Sequence, residues 1–495
     1  MSEEYASDMS GFATANPEKV KRFEQFVGSL KYSLKRVHPS KIVLFLVCLS
    51  VTVNFVRPQD LPGLGFIGAI RLPIMVAFVT AVFWFPHAQK NISKPIKLVL
   101  ALLGIQAIRG LLGAVDPTDS IIRNNSAHFF TFRNMAIQMI GLHLPIVACL
   151  ACKQGLRVLS SVLVCIGLFL AFWGLTHAGT GPGGFVQDEN DLCYALLNLM
   201  PFSVLYMATS ERSFVRMFNL LAFAAMFAGV VSTVSRGGML GFAALGVFLF
   251  LRSDKKPLFI LIGLVGAIVA IPILPDKFKD ELFSIQKDVG GHSGTVKKRT
   301  DMWNITWIAF KDPKHTPFGV GMRNIGRWIP DYDPEAGSAS AGQKWGRAVH
   351  SLYFQIMGDL GAAGLILIGL SVWTVFRSNM LIERRFKKAL RAIKYFGKER
   401  RIALHRDYGV NPDEINSLLK TLMKEGIYVC KFAVALNTAL VGGMAAAVGI
   451  SVLYYPVMWM VIAISVAFSF YAKNLLDRIE QLYGFIEGKA ATGYS

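Results

Sequence analysis

A chain of 495 residues that is 53% hydrophobic and only 17% charged, with a mean hydropathy of +0.45, excludes a water-soluble globule and reads as a polytopic membrane protein. The formal net charge of +20 does not imply nucleic acid as a partner. The basic residues fall in short stretches between apolar runs, where they orient helices and meet anionic lipid.

Residues 1–40 are polar and lack the apolar core of a cleavable signal peptide, so they read as a cytoplasmic N-terminal segment. Apolar runs near spanning length follow at about 41–56, 64–85, 96–114, 132–152, 156–176, 191–210, 214–234, 237–252, 257–274, 350–376, 427–448 and 450–472. The expected fold is an all-α polytopic membrane protein of about 12 transmembrane helices. Helices 1–9 lie within 41–274, and a long periplasmic loop at 275–349 carries short amphipathic helices between helices 9 and 10. Helix 10 occupies 350–376, a basic cytoplasmic loop 377–426, helices 11 and 12 lie within 427–472, and a cytoplasmic tail closes the chain at 473–495. A cytoplasmic N-terminus puts Lys19–Arg36, Lys90–Lys97, Lys153–Arg157, Arg212–Arg216, Arg252–Lys256 and Arg377–Lys424 inside, and all of these are basic. Cys48, Cys149, Cys152, Cys165, Cys193 and Cys430 sit in or beside apolar runs, where helix packing is the expected role rather than disulfide, metal or redox chemistry.

The same topology places a short loop near 176–190 and the long loop outside, so externally placed arginines are of interest. Arg236 stands in "VSTVSRGGMLG", where one span ends and the next begins. Arg299 precedes Trp303, Trp307 and Phe310 at intervals of four, four and three, one side of a helix expected to lie on the interface. Snorkelling cations in an aromatic belt are one reading of these residues. An anion site is the other, because planar guanidiniums grip phosphate oxygens in paired hydrogen bonds. Arg133, Arg323 and Arg347 are weaker boundary candidates, and Trp303 and Tyr353 are further candidates for substrate contact.

"VHSLYFQIMGDLGAAG", Val349–Gly364, places His350, Phe354, Met357, Gly361 and Gly364 on one expected helical stripe. The glycines predict that this stripe faces another helix, with His350 at its outer end. A neutral imidazole there is able to act as a general base, although a lone histidine at a membrane edge is more often a packed or hydrogen-bonded structural residue. Asp359, inside the span, needs a partner, and a structural hydrogen bond is expected ahead of proton transfer.

His350, Ser351, then Gly361 and Gly364 resemble the histidine motif of the O-antigen ligase and polymerase superfamily of bacterial membrane glycosyltransferases. "SRGGMLG" at 235–241 resembles that family's outer arginine motif, and Arg299 with Trp303 ahead of "PFGVGMRNI" resembles the start of its long loop. The likeness covers mainly 185–375. "NFVRPQDLPGL" at 54–64, "GPGGFVQDENDLCYALLNLMPF" at 181–202 and "LYYPVMW" at 453–459 resemble the branch associated with exosortase and exopolysaccharide loci, although Glu189 and Asn190 stand where that branch shows an asparagine pair.

The resemblance implies transfer of a glycan from an undecaprenyl-pyrophosphate donor to a hydroxyl of a glycan, lipid or protein acceptor, at the periplasmic face of the bacterial inner membrane. It implies inversion, with His350 as base, Arg236 and Arg299 neutralising the leaving pyrophosphate, and neither a divalent metal nor another cofactor. "DYD" at 331–333 has a metal-pair spacing used with nucleotide sugars, "DEND" at 188–191 reads as a helix cap, and "GTGPGGF" at 179–185 as a gating loop. A polysaccharide or lipid-linked glycan transporter is the rival from another class. Such proteins often show two similar halves, and no internal repeat is visible here.

Overall fold

The computed structural model describes residues 17–36, 39–61, 63, 72–84, 93–115, 125–253, 256–257, 260–261, 294–333, 346–394 and 412–486. Among them the secondary structure is helical, without strands. The helices, in chain order, are α1 (Pro17–Arg36), α2 (Lys41–Val56), α3 (Leu72–Trp84), α4 (Lys94–Val115), α5 (Asn125–Gln138), α6 (Leu144–Cys149), α7 (Lys153–Thr176), α8 (Glu189–Thr209), α9 (Ser213–Ser232) and α10 (Arg236–Arg252). After them come α11 (Gly294–Lys311), the single turn α12 (Ile329–Tyr332), α13 (Leu352–Lys394), α14 (Pro412–Ala446) and α15 (Pro456–Ile486).

Eight of these, α2, α4, α7, α8, α9, α13, α14 and α15, are long and apolar enough to cross a membrane. That makes a multi-pass membrane protein. Of the other expected spans, α3 keeps 13 residues and α10 keeps 17, and the run at 257–274 lies almost wholly outside the described residues. The run at 132–152 is α5 and α6 joined by a π-turn, Met139–His143. Pro145, which has no N–H to donate to the preceding turn, accounts for that irregularity. The indole of Trp84 donates to the Ile140 carbonyl within the turn (2.9 Å).

α8 is buried along most of its length and packs against α14, α9, α7 and α10. Polar side chains join helices where no water competes: Asn379 Nδ2 donates to Asn437 Oδ1 (2.9 Å), and Asn437 Nδ2 to the Phe376 carbonyl (3.2 Å), linking α13 to α14. Helix continues into the basic stretch after 376, because Asn379, Glu383, Phe386 and Ile393 keep a buried stripe on α13 to Lys394. At this end of the bundle the ion pairs bridge helices. Buried Glu383 takes Arg252 of α10 and Lys387 (3.0 Å) of its own helix. Glu425 of α14 takes Lys153 of α7 and the Tyr471 hydroxyl of α15 (3.1 Å).

At the opposite end α13 is interrupted. Gly361 adopts φ 64 and ψ −157, a conformation essentially confined to glycine. The segment 316–321 fits into the break. Gly358 and Asp359 carbonyls accept from Val320 N (2.8 Å) and Gly321 N (3.0 Å), while Ala362 N and Ala363 N donate to the carbonyls of Thr316 (2.8 Å) and Pro317 (3.0 Å). The inserted loop thus replaces the helical bonds lost at the break, which lets non-helical backbone lie within an apolar bundle. A methyl group at Gly361 would stand 2.6 Å from Phe318 N and 2.7 Å from Thr316 O, so the close approach excludes any side chain.

Candidate functional site

The site assembles where α8, α10, α13 and α15 begin. Asp188 caps α8, its Oδ1 accepting from Asn190 N (2.9 Å) and Nδ2 (2.8 Å). Ser235 caps α10, its Oγ accepting from Gly238 N (3.1 Å) and donating to Asn190 Oδ1 (2.7 Å). One asparagine therefore ties two helix starts together, and Arg236 is the first residue of the second. Val234, at φ 50, makes the tight turn before it. Farther along α10, Gly241 lets the helix lie against α14: a methyl group there would sit 2.8 Å from Ala446 Cβ and 2.8 Å from the Gly442 carbonyl oxygen.

α14 ends in a 3₁₀ turn, Ala447–Gly449. Arg299 reaches this turn from α11; a Cβ at Gly449 would lie 3.2 Å from its Nη1. The start of α10 meets the same shelf, since a Cβ at Gly237 would stand 3.1 Å from the Ala446 carbonyl oxygen. The helix start that bears Arg236 and the Arg299 guanidinium, far apart in sequence, thus both lie against the end of α14.

His350 does not belong to the helix. It has φ 53, outside the helical range, and α13 starts at Leu352. The helical stripe expected to begin at His350 is corrected accordingly: the residue closes the loop before the helix, and Gly361 serves the break rather than a helix-helix crossing. Ser351, buried, offers its carbonyl to Gln355 N (2.9 Å). The Val349 carbonyl accepts from Trp303 Nε1 (3.0 Å), and Trp303 stacks on Phe354 with centroids 5.3 Å apart. Tyr353 donates its hydroxyl to the Met444 carbonyl (3.0 Å), fixing α13 against the end of α14. Trp303 and Tyr353 therefore frame the histidine.

The imidazole of His350 is open to solvent on one side. The protein crowding its other side and the Arg299 guanidinium hold its pKa below the usual histidine value, with Asp188 opposing and Arg347 adding to the depression. A base that stays neutral below ordinary histidine pH is the chemical result.

On α11 the buried residues are Met302, Ile305, Thr306 and Ala309, while Trp307 is 44% exposed and stacks on Phe310 (5.8 Å).

Behind the segment 346–349 lies a cavity of about 970 Å³ lined by Arg323, Arg327 and Arg347 among others. Arg133 is not in its wall. It sits over the Phe130 ring at 4.8 Å, and its helix contributes Phe130 and Asn134 to the cavity instead. Asp359 has the structural partners expected of a buried acid. Its Oδ1 accepts from Asn324 N (3.1 Å) and Ile325 N (3.0 Å), and its Oδ2 from the Tyr454 hydroxyl (2.8 Å). That hydroxyl in turn accepts from Arg323 N (3.1 Å). Met322 N donates to His128 Nδ1 (3.0 Å), so His128 Nε2 carries the proton given to the Gln106 carbonyl (2.9 Å).

Asn190, Tyr454, His128 and the Tyr455 hydroxyl, which donates to Asp191 (3.0 Å), escaped the reading by residue type. Only the adjacent tyrosines of "LYYPVMW" and the acid run "DEND" gave a sequence signal for any of them. Asp188 does cap its helix as expected. Among the described residues no group of three or more metal-ligating side chains occurs.

Residues 221–369 match the model of the O-antigen ligase family. The matched stretch holds Arg236, Arg299, Trp303, Arg323, Arg347, His350, Tyr353 and the broken helix, and supports the O-antigen ligase and polymerase superfamily. No curated protein matches the chain.

Proposed function

We propose that the protein is an inverting, metal-independent glycosyltransferase that moves a glycan from an undecaprenyl-pyrophosphate donor to an acceptor hydroxyl at the periplasmic face of the bacterial inner membrane. The observation that supports this reading is that Arg299 lies against the end of α14, which the Arg236-bearing start of α10 also contacts, while its charge acts on His350. His350 takes the proton of the acceptor hydroxyl as its oxygen attacks the anomeric carbon. The anomeric C–O bond breaks on the opposite face, and undecaprenyl pyrophosphate leaves with the bonding electrons. Attack and departure on opposite faces give inversion, with no covalent enzyme intermediate.

Arg236 and Arg299 bind the leaving oxygens, an electrostatic stabilisation aimed at developing charge. Two guanidiniums supply the positive charge for which other transferases use a divalent ion, so chelator leaves turnover unchanged. Arg323 and Arg347 contact the glycan from the cavity, Trp303 and Tyr353 hold the histidine loop against it, and Arg133 stands at the rim. Surrounding membrane lipids complete the donor's environment.

The test is His350→Ala in purified protein with lipid-linked donor. Transfer falls about 10²- to 10⁴-fold, the usual worth of a general base, while donor binding persists on the arginines. Near-normal transfer in a normally folded variant rejects the assignment.

A further inference from the structure

The chemistry just described uses Arg236 and Arg299, and neither lines the cavity behind 346–349. Its walls carry a different set: Arg323 and Arg327 on one segment and Arg347 on another. Among the described residues no carboxylate pairs with the Arg323 or Arg347 guanidinium. Of the nearby acids, Asp60 is taken by Arg57 (2.6 Å) and Asp191 by Tyr455 (3.0 Å), and Asp359, the one acid in the cavity lining, is held by two backbone N–H groups and Tyr454 (2.8 Å). The cavity is therefore cationic, and like charges gathered around one space call for an anion within it.

The wall is built rather than incidental. Arg323 has φ 58, a strained conformation for a long side chain, and the bonds of its own N–H to Tyr454 and of the next two N–H groups to Asp359 hold it there. Gly346 N donates to the Gly326 carbonyl (2.8 Å), clasping the two arginine-bearing segments together. Strain maintained by a buried hydrogen-bond chain is characteristic of positions where a side chain must be aimed.

The remaining lining suits a sugar. Phe130, Phe185 and Tyr455 offer ring faces for the apolar C–H side of a pyranose, and Asn134 and Gln138 offer amides for its hydroxyls. A volume of about 970 Å³ is at the upper end of small-molecule sites, enough for several sugar units.

We propose that this cavity is a glycan subsite selective for acidic sugars, in which Arg323 and Arg347 hold a carboxylate of the repeat unit while the reacting end lies across the 347–350 segment at His350. The proposal rests on the glycosyltransferase reading and adds the substrate class. Arg347 serves both sides, lining the cavity and acting electrostatically on His350.

The experiment uses the full chain in lipid nanodiscs and three probes: a glucuronate-containing tetrasaccharide, its carboxyl-reduced neutral counterpart, and inorganic pyrophosphate. Binding is measured for the wild type, for Arg323→Gln with Arg347→Gln, and for Arg236→Gln with Arg299→Gln, each checked for an unchanged unfolding midpoint. The wild type binds the acidic sugar about tenfold or more tighter than the neutral one, the scale of a charge-assisted hydrogen bond. That preference collapses in the Arg323/Arg347 pair and survives in the Arg236/Arg299 pair. Equal binding of the two sugars, or binding of neither, overturns the proposal. So does loss of pyrophosphate binding in the Arg323/Arg347 pair alone, which would give the cavity to the leaving group and leave glycosyl transfer standing. Failure of the transferase reading shows up separately, as undiminished transfer by His350→Ala.

Discussion

The two ends of the bundle use charge in opposite ways. At the end where α10 and α13 meet in basic sequence, each of Glu383, Glu425 and Glu211 is matched to a lysine or arginine of another helix. At the other end Asp191 and Asp359 are satisfied by tyrosine hydroxyls and backbone N–H groups, and Arg323 and Arg347 face a cavity, although Arg57 and Asp60 do pair there. All five described non-glycine residues with positive φ, Arg57, Ala178, Val234, Arg323 and His350, also belong to this second end. Charges that cancel hold helices together, whereas charges kept apart by neutral partners stay available to a substrate.

Breaking that contrast at the paired end should have the largest effect. Glu383→Ala strands Arg252 beside an apolar core, at a cost of about 3–5 kcal/mol for a broken buried pair. The expected result is a lower unfolding midpoint with unchanged transfer per folded molecule; lost transfer in stable protein would show that the two ends are not separable. At the other end, Arg236→Lys keeps charge and loses the planar fork, so transfer drops roughly tenfold with stability unaltered. Wild-type turnover would return Arg236 to the aromatic-belt reading. Asp359→Asn keeps an acceptor for Asn324 N and Ile325 N but removes its charge, costing about 1 kcal/mol. The effect should appear in weaker substrate binding more than in turnover, measured as KM against kcat.

The smallest expected change sharpens the comparison most. With the His350 pKa held down, the neutral base persists below the ordinary histidine range, so the acid limb of kcat/KM lies below pH ~6.5. Arg299→Gln removes a neighbouring positive charge that disfavours the protonated imidazole, so the limb of the residual activity moves to higher pH. An unmoved limb would mean that Arg299 does not act on His350.

Helices with long apolar runs were legible, since a bilayer demands continuous hydrophobic length and internal backbone bonding. Arg236, Arg299 and His350 stood out as residues of interest from their boundary positions; the structure puts the Arg236-bearing start of α10 and the Arg299 guanidinium against the end of α14, with His350 under the influence of Arg299. What periodicity misplaced was the start of α13: the 3.6-residue rhythm of His350, Phe354, Met357 and Gly361 continues through a left-handed residue and a helix break. Gly361 looked like a helix-crossing glycine because small size serves both purposes. The partners of Asp359 lie 35, 34 and 95 positions away, and backbone bonds at such separations leave no local pattern. Sequence also gave no sign that Arg133 would be excluded from the cavity wall, because which side of a short boundary helix faces inward depends on its neighbours.

The interrupted α13 has a practical consequence for exchanging parts between related proteins. Four backbone bonds cross between 316–321 and 358–363, so neither segment can adopt its shape while the other is missing. A chimera that imports a foreign loop onto this helix, or the reverse, would inherit mismatched halves of a single lock. The two segments should therefore be exchanged together, along with Tyr454, which bonds to both Asp359 and Arg323 N.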